Sequence, residues 1–125
     1  MVPTEFEFTS PDAKLYALDD RWKQAAVRAG LFCTEGATTV MASSVLTYGA
    51  SMVGTNGIAI IEAWHGNQMP PSLIIPMAFV QAVNRCGLKI DGFGYSEQSL
   101  TIYFDNGAWI KTQLYQEQFP NVGLS

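Results

Sequence analysis

Charge is scarce in this sequence. Only 14% of its residues are Asp, Glu, Lys or Arg, and eleven acids against seven Lys and Arg leave a net charge of −4. A protein that wraps nucleic acid with its whole surface has to be basic, so that class is excluded, while a local basic face remains compatible. So little charge also leaves uncharged surface to account for, and cover by a partner or by the rest of a larger protein would account for it. Histidine is nearly missing, with His65 the single copy. One histidine and two distant cysteines, Cys33 and Cys86, do not make the several-ligand set that zinc requires, and their spacing fits no CxxC motif. No metal and no cofactor is expected. There is no GxSxG elbow. Gly49 to Gly54 imitates half a phosphate loop, but Thr55-Asn56 stand where Lys-Ser/Thr is required. Gly92-Phe93-Gly94 begins a dinucleotide-like run, and Glu97 occupies the third glycine position. Both glycine pairs are read as turns, His65 as a surface or loop-packing residue, and the chain as no enzyme.

Long apolar runs are missing as well. The longest, Leu73 to Val80, is interrupted by Pro76 and too short for a bilayer. Glu5 and Glu7 stand where a signal peptide would be basic, and no Asn-x-Ser/Thr acceptor occurs. The expectation is a cytoplasmic protein with free buried thiols and no membrane contact. What is abundant is apolar side chain, 48% of 125 residues and 13.7 kDa. A chain of this mass buries roughly two-thirds of its unfolded surface, enough for one domain over residues 1–125 without staples.

The pattern along the chain is α+β. Residues 4–8 alternate as a half-buried strand does, and Leu15, Tyr16 and Leu18 extend a strand or lead into a helix. A first helix is predicted from about Asp19 to Ala29, capped by Asp19 or Asp20, with Leu18, Trp22, Ala25, Ala26 and Ala29 as its apolar stripe and Gly30 at its end. Arg21 and Arg28 share a second, polar stripe with Gln24 between them. Residues 38–64 read as strands broken at Gly49, Gly54 and Asn56-Gly57, with Ile58 to Ile61 a short apolar strand. His65 to Pro71 is a loop and Ser72 to Ile75 a strand; a second helix opens at Pro76 and stops at Gly87. Leu100 to Phe104 and Ala108 to Leu114 flank Asp105-Asn106-Gly107, a tight hairpin turn. Two half-motifs, each a helix followed by a meander, predict a pseudo-two-fold β-α-β-β-β repeat with two helices on one face of a continuous antiparallel sheet.

Five of the seven positive charges fall on or beside the helices: Arg21, Lys23, Arg28, Arg85 and Lys89. The plain reading is a solvated helix face. The functional reading is a weakly positive helical face on an acidic body, able to hold phosphates without reading bases.

Three short motifs in this order resemble the bacterial-type DNA polymerase sliding clamp, the β processivity subunit, and most of all its middle domain. They are Met52-Val53-Gly54-Thr55-Asn56-Gly57-Ile58-Ala59-Ile60, then Leu73-Ile74-Ile75-Pro76 leading into Phe79-Val80-Gln81-Ala82-Val83, then residues 110–121 ending Phe119-Pro120-Asn121. The resemblance covers about residues 5–122. Asn56 replaces the usual aspartate of the first motif, and Ile58-Ala59 replace its usual His-Arg pair. The resemblance implies a non-catalytic processivity domain that contacts duplex DNA non-specifically through Arg21, Lys23, Arg28, Arg85 and Lys89, with Arg21 and Arg28 foremost. It implies docking of polymerase and clamp-loader peptides near Thr55, Gly57, Ile58 and Ile60. It also implies ring closure with further clamp domains or copies, through the outer edges of the sheet. The alternative is a clamp-fold module that binds a polymerase, loader or host clamp without binding DNA, using Ile58 to Ile61, Met52 and Trp64. A third reading is a ligand-binding domain whose pocket is lined by Trp64, Phe93, Tyr95, Tyr103 and Trp109.

Overall fold

The computed structural model describes residues 10–34, 36–37 and 39–116. The expected strand over residues 4–8 and the Phe119–Asn121 motif lie outside the described residues. The elements are β1 (Tyr16–Ala17), α1 (Asp20–Ala29), α2 (Val40–Ser43), β2 (Ser44–Tyr48), β3 (Ser51–Thr55), β4 (Ile60–Trp64), β5 (Ile74–Pro76), α3 (Met77–Cys86), β6 (Ile90–Tyr95), β7 (Ser99–Phe104) and β8 (Trp109–Gln113). A single 3₁₀ turn, Gly30–Phe32, follows α1.

Local signals set the helices. The Asp19 side chain accepts from the Arg21 N–H at 3.0 Å, and the acidic Asp20 opens α1 where the dipole favours it. Pro76 immediately precedes α3, and Gly87 ends it in the left-handed conformation at φ 66°, which costs a glycine little. The β7–β8 hairpin turns at Asp105–Gly107 as predicted.

Strand pairing departs from one continuous sheet. The described residues form two four-stranded antiparallel sheets, ordered β1-β6-β7-β8 and β4-β3-β2-β5. Each half of the chain runs strand, helix, three-strand meander. Each opening strand leaves its own half: β1 pairs with β6, and β5 pairs with β2. The halves are therefore interlocked, and neither completes its sheet alone. One apolar cluster lies between them, drawing Trp22, Ala25, Ala26 and Ala29 from α1, Phe79, Val80 and Val83 from α3, and Met52, Ile75, Phe93, Leu100 and Ile102 from the strands.

Several local expectations need correction. Residues 40–43 form α2 in place of a strand, capped by the Thr39 hydroxyl on the Ala42 N–H. Gly54 does not break a strand: it lies inside β3 and faces α1, where a Cβ would run into the Ala29 carbonyl oxygen. β4 begins at Ile60, so Ile58 belongs to the turn before it. Gly92 and Gly94 are not turn residues but lie within β6. They are bare so that the segment from Asp12 to Tyr16 can lie against that face of the sheet: a Cβ at Gly94 would strike the Ala13 carbonyl, and one at Gly92 the Tyr16 carbonyl and the Lys14 side chain. Asp12 fastens this crossing segment. Its carboxylate accepts from the Ser99 and Thr101 hydroxyls at 2.9 Å, and its carbonyl accepts from the Tyr103 hydroxyl.

Candidate functional site

The two longer helices lie side by side and run antiparallel. Gly30, directly after α1, abuts the Sδ of Met77 at the start of α3, whereas Asp20 at the start of α1 accepts from the Ile90 N–H beyond the end of α3 at 3.0 Å. Each helix buries one stripe in the common core and leaves the other in solvent. On α1 the exposed stripe is Arg21, Gln24 and Arg28; on α3 it includes Ala78, Gln81 and Arg85.

The five predicted DNA-contacting residues occupy different electrostatic situations. The Arg21 guanidinium donates to both Asp19 carboxylate oxygens, 3.0 Å at its nearest, and stacks over the Trp64 ring at 5.8 Å. This guanidinium holds the Asp19 carboxyl below its ordinary range, and the carboxylate raises the guanidinium in turn. Lys23 lies mostly covered, 4.0 Å from Asp20. Arg28, Arg85 and Lys89 are exposed and have no ion pair among the described residues. Arg28 and Arg85 each stand in the last turn of their helix, where the dipole favours a cation. The face thus holds Arg28 and Arg85 as its uncompensated charges, with Lys89 beside the second. The Arg21–Arg28 stripe exists, with its Arg21 end neutralised locally.

Residues 54–60 make a different surface. The Thr55 hydroxyl is buried, accepting from the Gly57 N–H at 3.0 Å and donating to the Ala59 carbonyl at 2.6 Å. The Asn56 side chain accepts from the N–H groups of Ile58 and Ala59. Thr55, Asn56 and Gly57 accordingly build the turn, and Asn56 serves here without an acidic charge. Ile58 at the tip is 96% exposed, with Ile60 and Trp64 also exposed along β4.

Between the end of α1 and the start of α3 lies a cleft of about 340 Å³, whose lining includes Gly30, Cys33, Ser43, Met77, Gln81 and Tyr115. Burial pushes the Cys33 thiol up, which favours its protonated form. Both cysteines are free, but neither is fully buried as expected: Cys33 is half-buried beside the cleft, and Cys86 is exposed on the last turn of α3. No group of three or more His, Cys, Asp or Glu residues is arranged to hold a metal ion among the described residues. No helix there is long and apolar enough to cross a membrane. His65 is fully buried, and its Nδ1 accepts from the Asn67 N–H at 3.1 Å.

One feature of the helical face was present in the sequence and escaped a reading by periodicity. The fifth to ninth residues of α1 are Gln24-Ala25-Ala26-Val27-Arg28, and those of α3 are Gln81-Ala82-Val83-Asn84-Arg85. Sliding the sequence against itself reveals this Q-A-x-x-R repeat, but it means something only once the helices are known to be equivalent. Compared with models of known protein families the chain matches none, and no curated protein sequence matches it.

Proposed function

We propose that this chain is a sliding-clamp-like domain that contacts duplex DNA without reading its sequence and tethers replication proteins to it. The observation that carries the reading is the exposed face of α1 and α3. Arg28 and Arg85, with no ion pair among the described residues, stand on it near opposite ends of the antiparallel pair, on a molecule whose net charge is −4. The strand–helix–meander repeat with exchanged opening strands is the second support, because it is the kind of twofold half-motif that the resemblance implies. Retention on DNA then rests on ring closure with further domains or copies, and on weak phosphate contacts that permit sliding. The binding of the full chain to two unrelated duplexes tests this. The expected result is equal affinity for both and a steep fall as salt rises, because each phosphate contact releases counterions. Binding that discriminates between the two sequences, or that ignores salt, overturns it.

Ile58, at 96% exposure on a hydrogen-bonded turn, favours a second reading in which the β3–β4 tip docks a polymerase, a loader or a host clamp and DNA is not bound. An apolar contact of that kind is nearly insensitive to salt and is abolished by Ile58→Asp.

A further inference from the structure

The two helices carry the same polar pair in the same register. Gln24 and Gln81 are the fifth residues of two ten-residue helices, and Arg28 and Arg85 are the ninth. All four side chains are exposed. The helices are antiparallel neighbours, and they occupy equivalent places in two half-motifs that exchange their opening strands. An approximate two-fold axis therefore passes between them and relates Gln24–Arg28 to Gln81–Arg85.

Duplex DNA has two-fold axes of its own, perpendicular to the helix, that relate its antiparallel strands. We infer that the two Gln–Arg pairs are the equivalent halves of one surface, each taking a phosphate of a different strand of the same duplex. This rests on the DNA-contacting reading above and specifies it. Residues four apart on a helix are neighbours, about 5–6 Å between Cβ atoms, so each Gln and Arg converge on one stretch of backbone. The guanidinium fork supplies the charge-assisted bonds to phosphate oxygens, and the glutamine amide donates a neutral one. Arg21 is outside the pair on two grounds. Its equivalent on α3 is Ala78, and its charge is already bound to Asp19.

The experiment is the salt dependence of binding for wild type, Arg28→Gln, Arg85→Gln, the double variant and Arg21→Gln. Each is measured on a labelled duplex and on one of its strands, after circular dichroism has shown each variant folded. On duplex DNA, each of the first two substitutions is expected to reduce the slope of log K against log salt by about 0.9, and the double variant by about 1.8. Arg21→Gln is expected to leave it unchanged. A single strand can engage only one half at a time. In a Lys89→Gln background, which removes the extra exposed charge beside Arg85, either single substitution should then leave its slope unchanged, and the double variant should lower it by about 0.7. Glutamine carries no charge, so Gln24→Ala and Gln81→Ala should weaken duplex binding by equal factors without moving the slope. Unequal slopes for Arg28→Gln and Arg85→Gln would overturn the two-fold pairing while leaving the DNA reading intact. Absence of salt-dependent duplex binding by the wild type would overturn both.

Discussion

His65 shows how one side chain ties stability to pH. With Nδ1 accepting from the Asn67 N–H, the neutral ring carries its proton on Nε2, which is buried and has no hydrogen-bond partner among the described residues. A second proton would have to enter at Nδ1, against a donor already pointing there. Burial, the largest influence, lowers the pKa from 6.5 to about 4; nearby Asp19 works the other way and Arg21 adds to the fall. The unfolded chain takes up that proton near pH 6.5 and the folded chain does not until about 4. Stability is then complete above pH 6.5 and is lost as pH falls toward 4. Between pH 7 and pH 5 the loss amounts to about 2 kcal/mol. Urea unfolding across that range should show it, and His65→Gln should flatten most of the slope. A wild type as stable at pH 5 as at pH 7 would refute the assignment.

Elements here are shaped by what crosses them. β6 contains glycine at two alternate positions because the segment from Asp12 to Tyr16 runs over that face, and the Asp12 carboxylate binds hydroxyls on β7 to keep it there. Gly94→Ala places a methyl group against a carbonyl oxygen that cannot move without breaking the crossing. A cost of about 3 kcal/mol is expected, the upper range for overpacking, and thermal or urea denaturation would measure it. Gly92-Phe93-Gly94 looked like a turn because glycine's local meaning is conformational freedom. Nothing within a few residues says that another segment, some eighty positions away, needs the space. α1 was legible for the opposite reason: its aspartate cap and its apolar stripe of Trp22, Ala25, Ala26 and Ala29 are all local, and each does what its spacing implies.

At the scale of the whole molecule, exchange of β1 and β5 between halves is the organising fact. It holds the helices side by side and makes Arg28 and Arg85 partners, although fifty-six other residues separate them in the chain. The clamp-like reading adds closure into a ring, either with domains beyond this sequence or with further copies of it. Light scattering over a concentration series bears on the second route. If single copies close the ring, the full chain should show a defined mass of several copies that stays constant on dilution. A monomer at every concentration would remove that route and leave closure to further domains.

By itself the sequence determined the α+β class, the two long helices with their caps and buried stripes, the hairpin at Asp105–Gly107 and the positive bias of the helices. Capping, periodicity and turn chemistry act over a few residues, so a few residues suffice to read them. Only the tertiary structure decided that there are two sheets, that Gly54 and Gly94 are points of contact, and which cations stand uncompensated. Strand partners and ion-pair partners are chosen by what packing brings together. Tyr16 beside Phe93 and Asp20 beneath Ile90 have no local signal that announces them.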